Sequence, residues 1–194
     1  MACCKCNDDR CLSRPKDKDA LLEKIIAAEE KMFVAVNDGG EKVDCQSQLK
    51  TFRAMRHMSF AVLSLDTLQS YWEDLNFAIQ DGRNLVAEKY ARMDNLIPVF
   101  NTNSHIDKIV EIEVGWMKEL NAKYPHAVQF GPQFANYEHS ELETYSDETL
   151  VNYYKDVSMA KLSGINLIEQ RYTILYTGMG YKSLAEVEER ASKH

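Results

Sequence analysis

Residues 64–90 and 146–172 align without a gap at an offset of 82. Ten of these 27 positions are identical: Ser64/Ser146, Thr67/Thr149, Leu68/Leu150, Tyr71/Tyr153, Asp74/Asp156, Ala78/Ala160, Gly82/Gly164, Asn84/Asn166, Leu85/Leu167 and Tyr90/Tyr172. Unrelated segments of ordinary composition would share roughly two. A repeat of this length constrains the fold more than any single motif, because each unit exposes an apolar face that its neighbour must cover. It predicts two tandem copies of one structural unit.

The identities read as helix punctuation. Ser64 and Ser146 stand where a hydroxyl can accept from an orphan N–H of a first helical turn. Leu63 with Leu68, and Tyr145 with Leu150, can staple across that turn. Gly82 and Gly164 suit the left-handed residue after a helix, and Asn84 and Asn166 can cap the next one. Glu169 would complete a capping box in the second copy. Upstream, Leu22, Ile25, Ile26, Glu29, Met32, Phe33 and Val36 trace one helical face. Ile106, Ile109, Val110, Glu113, Trp116, Met117 and Leu120 trace the same face 84 residues later.

Strand periodicity is nearly absent, so the pattern predicts an all-α, pseudo-twofold helical bundle built from two tandem units. Repeats are expected at 19–97 and 104–178, within a single domain spanning 19–194. Residues 1–18 are expected to be a cysteine-rich flexible tail. Between the first helix and the helix–Gly–helix hairpin, the units differ. Phe52 to Leu63 reads as a further helix, whereas Tyr124 to Tyr145, with Pro125, Gly131, Pro132 and several aromatics, reads as a long loop. Gly178–Met179–Gly180 breaks the chain before a short C-terminal helix over 183–192, opened by Ser183 and Glu186.

A formal charge of −7 argues against nucleic acid, which needs a dense cationic surface. No apolar run approaches a membrane span, and Asp8, Asp9, Asp17 and Asp19 interrupt any signal-peptide core. The expectation is a cytoplasmic protein with no membrane partner. Cys3, Cys4, Cys6 and Cys11 crowd the N-terminus and Cys45 stands alone. The odd count is no disulfide framework, and the cluster's spacing makes only a weak metal site.

The chemistry concentrates on Glu29 and Glu113, single carboxylates in the middle of apolar helical stripes. A buried carboxylate must be protonated, hydrogen-bonded, paired or metal-bound. If the two first helices met across the pseudo-axis, the carboxylates would face each other and suit acid–base chemistry or cation capture. The alternative is that each is neutralised by an arginine or a tyrosine hydroxyl, and Arg56, on the Phe52/Met55 stripe, is the natural partner for Glu29. Glu29, Glu113, Arg56 and His57 are therefore the candidate catalytic residues. Arg53, Tyr71, Tyr153, Tyr90 and Tyr172 are the candidate ligand-binding residues. The Glu-x-x-His signature of di-metal bundles is missing, which leaves only a variant site from Glu29, Glu113, Glu88 and His57. No sequence feature names a cofactor.

Thr51–Phe52–Arg53–Ala54–Met55–Arg56, Gly82–Arg83–Asn84–Leu85 with Glu88–Lys89–Tyr90–Ala91–Arg92–Met93, and Gly180–Tyr181–Lys182–Ser183–Leu184 resemble a family of microbial proteins catalogued only as a domain of unknown function. The resemblance spans roughly Leu21 to Glu189 and brings no reaction with it, only a setting in small-molecule metabolism. The expected function is small-molecule binding, extending to an enzyme of microbial specialised metabolism. A noncatalytic helical interaction or regulatory module is the alternative. Metal carriage through the N-terminal cysteines is the third reading.

Overall fold

A computed structural model describes residues 17–36 and 46–193 of the chain. The five cysteines and most of the expected tail lie outside the described residues. Those described form helices joined by turns, with no strand among them: α1 Lys18–Val34, α2 Gln46–Ala61, α3 Leu65–Gln80, α4 Leu85–Met93, α5 Ser104–Lys123, α6 Gln133–Leu142, α7 Asp147–Leu162, α8 Leu167–Gly178 and α9 Leu184–Ala191. The protein is all-α.

The punctuation works as the sequence implies. Ser64 Oγ accepts from Thr67 N–H and Ser146 Oγ from Thr149 N–H, so each hydroxyl caps a first turn. Gly82 and Gly164 both take φ +69°, a conformation costly for any residue with a Cβ. Asn84 and Asn166 each cap a helix through Oδ1, and each also donates from Nδ2 to a backbone carbonyl of an earlier long helix, Met32 of α1 and Trp116 of α5 respectively. Each hairpin is thus fastened to its first helix. Glu169 departs from its expected capping box: its carboxylate bonds Lys123 of α5 instead.

The second variable segment contains a helix where a loop was expected. Pro125, Gly131 and Pro132 do keep 124–132 largely irregular, but α6 follows, entered through Pro132. Its inward stripe is Phe134, Tyr137, Glu138, Glu141 and Leu142. The spacing is helical, yet two glutamates interrupt the apolar pattern by which such a stripe is recognised. Cations on other helices make that stripe acceptable in the core.

Packing proceeds in two matched sets. α1 contacts α2, α3 and α4, while α5 contacts α6, α7 and α8. The sets meet through α3 on α7, α2 on α8 and α4 on α6, and α9 closes against α8. One continuous core runs through both, with Leu21, Ile25, Leu68, Leu75, Ile109, Leu150 and Val157 fully buried. At the α3–α7 contact, Asp156 accepts from Ser64 N–H (2.9 Å) and Thr67 Oγ1 (2.6 Å). Asp74 accepts from Ser146 N–H (3.0 Å) and Thr149 Oγ1 (2.6 Å). Each helix supplies the carboxylate that satisfies the other's N-terminus.

Candidate functional site

The polar interior is built from side chains of α1 through α8. Glu29, at 2% exposure, receives Arg56 Nε on Oε2 (2.6 Å), and Arg56 Nη2 (2.7 Å) and Tyr71 Oη (2.6 Å) on Oε1. The same guanidinium turns its other edge to Glu141 of α6, with Nη1 at 3.0 Å and Nη2 at 2.7 Å. Glu141 also accepts from Lys89 Nζ (3.2 Å) and Tyr145 Oη (2.8 Å). Two carboxylates and two cations are therefore enclosed together, contributed by α1, α2, α4 and α6.

Such a group is tolerable in low dielectric only because its charges balance and nearly every polar atom is satisfied. Burial alone would lower the Arg56 pKa, but Glu141 and Glu29 hold it well above its ordinary value. Burial would likewise raise Glu141, and Arg56 and Lys89 outweigh it, holding the carboxyl below the usual range. Burial pushes the Tyr71 and Tyr145 hydroxyls well up, reinforced by the carboxylates they face, so both remain donors.

The second group uses a different cation. Glu113, fully buried, receives Arg171 Nη2 (2.7 Å) and Tyr153 Oη (2.8 Å) on Oε1 and Arg171 Nη1 (3.0 Å) on Oε2. Tyr153 matches Tyr71 in the sequence repeat, and Arg171 matches Lys89. Glu138 of α6 lies within hydrogen-bond reach of Glu113. Burial, and then the Glu113 charge, push its carboxyl well above the ordinary value despite Arg171. Glu138 therefore holds its proton to higher pH than an ordinary carboxyl, and in the protonated form it can donate to Glu113. A third buried pair, Arg92 Nε to Glu143 Oε2 (2.7 Å) and Nη2 to Oε1 (3.0 Å), ties α4 to the end of α6.

Glu29 and Glu113 do not face each other. Their helices, α1 and α5, make no extended contact, the sets meeting instead through α3 on α7, α4 on α6 and α2 on α8, and each carboxylate is enclosed by a tyrosine and an arginine. Arg56 meets Glu29 as the α2 stripe implies. His57, one residue on, is exposed. Arg53 is a surface residue paired with Glu30 (2.6 Å) and Glu23 (2.7 Å). Tyr71 and Tyr153 bind the carboxylates, whereas Tyr90 and Tyr172 are half-buried at the edge of the core. Glu88 is held by Arg83 (2.7 Å), and no group of three or more His, Cys, Asp or Glu among the described residues is arranged to hold a metal ion. Lys89, Arg92, Glu138, Glu141, Glu143 and Arg171 were not singled out from sequence. One signal was available: the ungapped alignment sets Lys89 against Arg171, a cation at the same position of α4 and of α8.

Above the first group opens a cleft of ≈ 430 Å³. Phe33, Phe52, Met55 and Tyr90 make its walls, with Arg56 and Tyr137 among its polar lining. Phe33 and Phe52 stack at 4.5 Å. Lys89 Nζ donates to Tyr137 Oη (2.9 Å), so the phenolic hydrogen is left to donate elsewhere. One Nη1 hydrogen of Arg56 and the Tyr90 hydroxyl likewise have no partner among the described residues.

A family described as "Protein of unknown function (DUF4125)" matches residues 19–189. The chain belongs to this family. No curated protein and no solved structure matches it. The DUF4125 match takes in every buried charge described above and excludes the four N-terminal cysteines. Among the described residues, no helix is long and apolar enough to cross a membrane.

Proposed function

We propose that this DUF4125 protein binds a small amphipathic molecule in the cleft over Arg56. The observation that carries the reading is an open aromatic cleft, of a size usual for small ligands, with unspent hydrogen-bond donors set over a rigid, fully paired charge group. Phe33, Phe52, Met55 and Tyr90 would take the apolar body, and Arg56, Tyr90 and Tyr137 would donate to a polar end. The charges beneath already cancel, Arg56 and Lys89 against Glu29 and Glu141. An anion would meet two carboxylates behind one shared guanidinium, so a neutral acceptor such as an amide or ketone fits better. In this reading Glu29 and Glu113 fix cations in place, and acid–base work by either would first require breaking its ion pair.

A larger hollow of ≈ 630 Å³ includes Asp74, Arg83, Phe100, Glu143 and Glu148. Its central charges are committed elsewhere: Asp74 to the α7 N-terminus, Glu143 to Arg92 and Arg83 to Glu88. It supports a ligand less well.

Titrating acetanilide, a neutral phenyl amide, against the protein by NMR tests the proposal. Saturable shifts at the Met55 methyl and the Phe52 and Tyr90 rings are expected, with Kd on the order of 1 mM for so small a probe. Met55, 40% exposed, can be changed to Asp without disturbing the core, and that change should abolish the shifts. Absence of saturable binding at these residues would overturn the cleft as a ligand site. Tighter binding of phenylacetate would overturn the neutral-ligand assignment alone.

A further inference from the structure

Between the two buried charge groups lies a third, much smaller hollow. Leu63 and Phe60 of α2 form its apolar side, and Glu138, Glu141, Tyr145 and Arg171 belong to its polar side. Its free space, ≈ 10 Å³, is about what one water molecule requires. Arg171 gives both terminal nitrogens to Glu113, with Nη2 also contacting Tyr153, but its Nε–H is buried and no protein acceptor among the described residues reaches it. A buried guanidinium N–H without an acceptor is costly, and native interiors rarely tolerate one.

We propose that this hollow is a binding site for a single internal water, accepting from Arg171 Nε–H and donating toward the carboxyl groups of Glu138 and Glu141. The occupant's chemistry follows from the walls. Arg171 opposes a cation, Glu141 opposes an anion, and the volume excludes an organic molecule. A neutral group of water's size that both accepts and donates suits each wall at once. The bound water joins two otherwise separate networks: Arg56, Glu29, Glu141 and Lys89 on one side, Arg171, Glu113, Glu138 and Tyr153 on the other. It makes the polar interior continuous across the α2–α8 contact, and it does so whether or not the outer cleft takes a ligand.

A high-resolution crystal structure of the full chain, together with oxygen-17 magnetic relaxation dispersion in solution, tests the site. A density peak within hydrogen-bonding distance of Arg171 Nε is expected, and relaxation should count one more long-lived internal water in the native protein than in Arg171→Lys. That substitution keeps a cation facing Glu113 and removes the Nε–H. Empty density, an ion in place of water, or Arg171 Nε bonded directly to a protein acceptor would overturn the proposal, as would equal water counts. If Arg171→Lys does not fold, the density of the native protein decides the matter alone.

Discussion

At the scale of single residues, the two enclosed glutamates look alike in sequence and differ in how they are compensated. Glu113 depends on one cation, Arg171, whereas Arg56 is shared between Glu29 and Glu141. Removing Arg171 therefore strands a fully buried carboxylate. Arg171→Met is expected to cost about 3–5 kcal/mol of unfolding free energy, measured by urea denaturation, and Glu29→Gln should cost less because Arg56 keeps Glu141. Glu138 behaves differently again. Burial and then the Glu113 charge raise its pKa, with Arg171, Tyr153 and Glu141 also facing it. Its folded pKa lies above the unfolded value near 4.5, so its contribution is fully present below that value and is lost as pH rises through the folded one. Glu141 has the opposite sign: its contribution is present above about 4.5 and is lost as pH falls toward its depressed folded value. Glu138→Gln keeps a neutral donor facing Glu113. It should leave stability at pH 5 within about 1 kcal/mol of the native protein and flatten the decline on the alkaline side. Denaturation midpoints measured from about pH 2 to about pH 9 check both signs, and an unchanged alkaline slope in the variant would exclude Glu138 as its source.

At the scale of elements, the α3–α7 contact explains why serine, threonine and aspartate recur together in the repeat. Asp74 and Asp156 each accept two hydrogen bonds at the N-terminus of the opposite helix, where an anion also complements the helix dipole. Burial raises Asp74, and the bonds from Thr149 and Ser146 oppose that rise. Asp74→Ala should cost roughly 1–2 kcal/mol, in the range of a lost cap. Hydrogen exchange should quicken at the first turn of α7 rather than of α3, because the bonds cross between helices. Faster exchange confined to α3 would contradict the assignment. The same scale shows why α6 escapes recognition. Phe134, Tyr137, Glu138, Glu141 and Leu142 have helical spacing, but the glutamates become core residues only when Arg56, Lys89 and Arg171 arrive from α2, α4 and α8.

At the scale of the whole molecule, the charge groups cross from one half to the other. Arg56 and Lys89 lie in the first half and Glu141 in the second, and α2 rests on α8. A fragment ending near residue 98 would take Glu141 from Arg56 and both Glu141 and Tyr137 from Lys89, and would expose the faces of α2, α3 and α4 that the second half covers. Such a fragment is expected to lack a cooperative thermal transition by circular dichroism, and a cooperative transition would show that the first half folds alone.

Sequence alone determined the features that depend on neighbours along the chain. Helix starts at Ser64, Ser146 and Ser183, the turns at Gly82 and Gly164, the apolar stripes of α1 and α5, and the inward placement of Glu29, Glu113 and Arg56 all follow from spacings of a few residues and the chemistry of caps. Tertiary structure decided what those buried groups meet. Arg171 reaches Glu113 from 58 residues away and Arg56 reaches Glu141 from 85, distances over which no local periodicity carries information. The cleft over Arg56, the raised pKa of Glu138 and the unpartnered Nε of Arg171 belong to that same class. Each is a property of helices brought side by side, where low dielectric turns a charge that local spacing cannot explain into one the core requires.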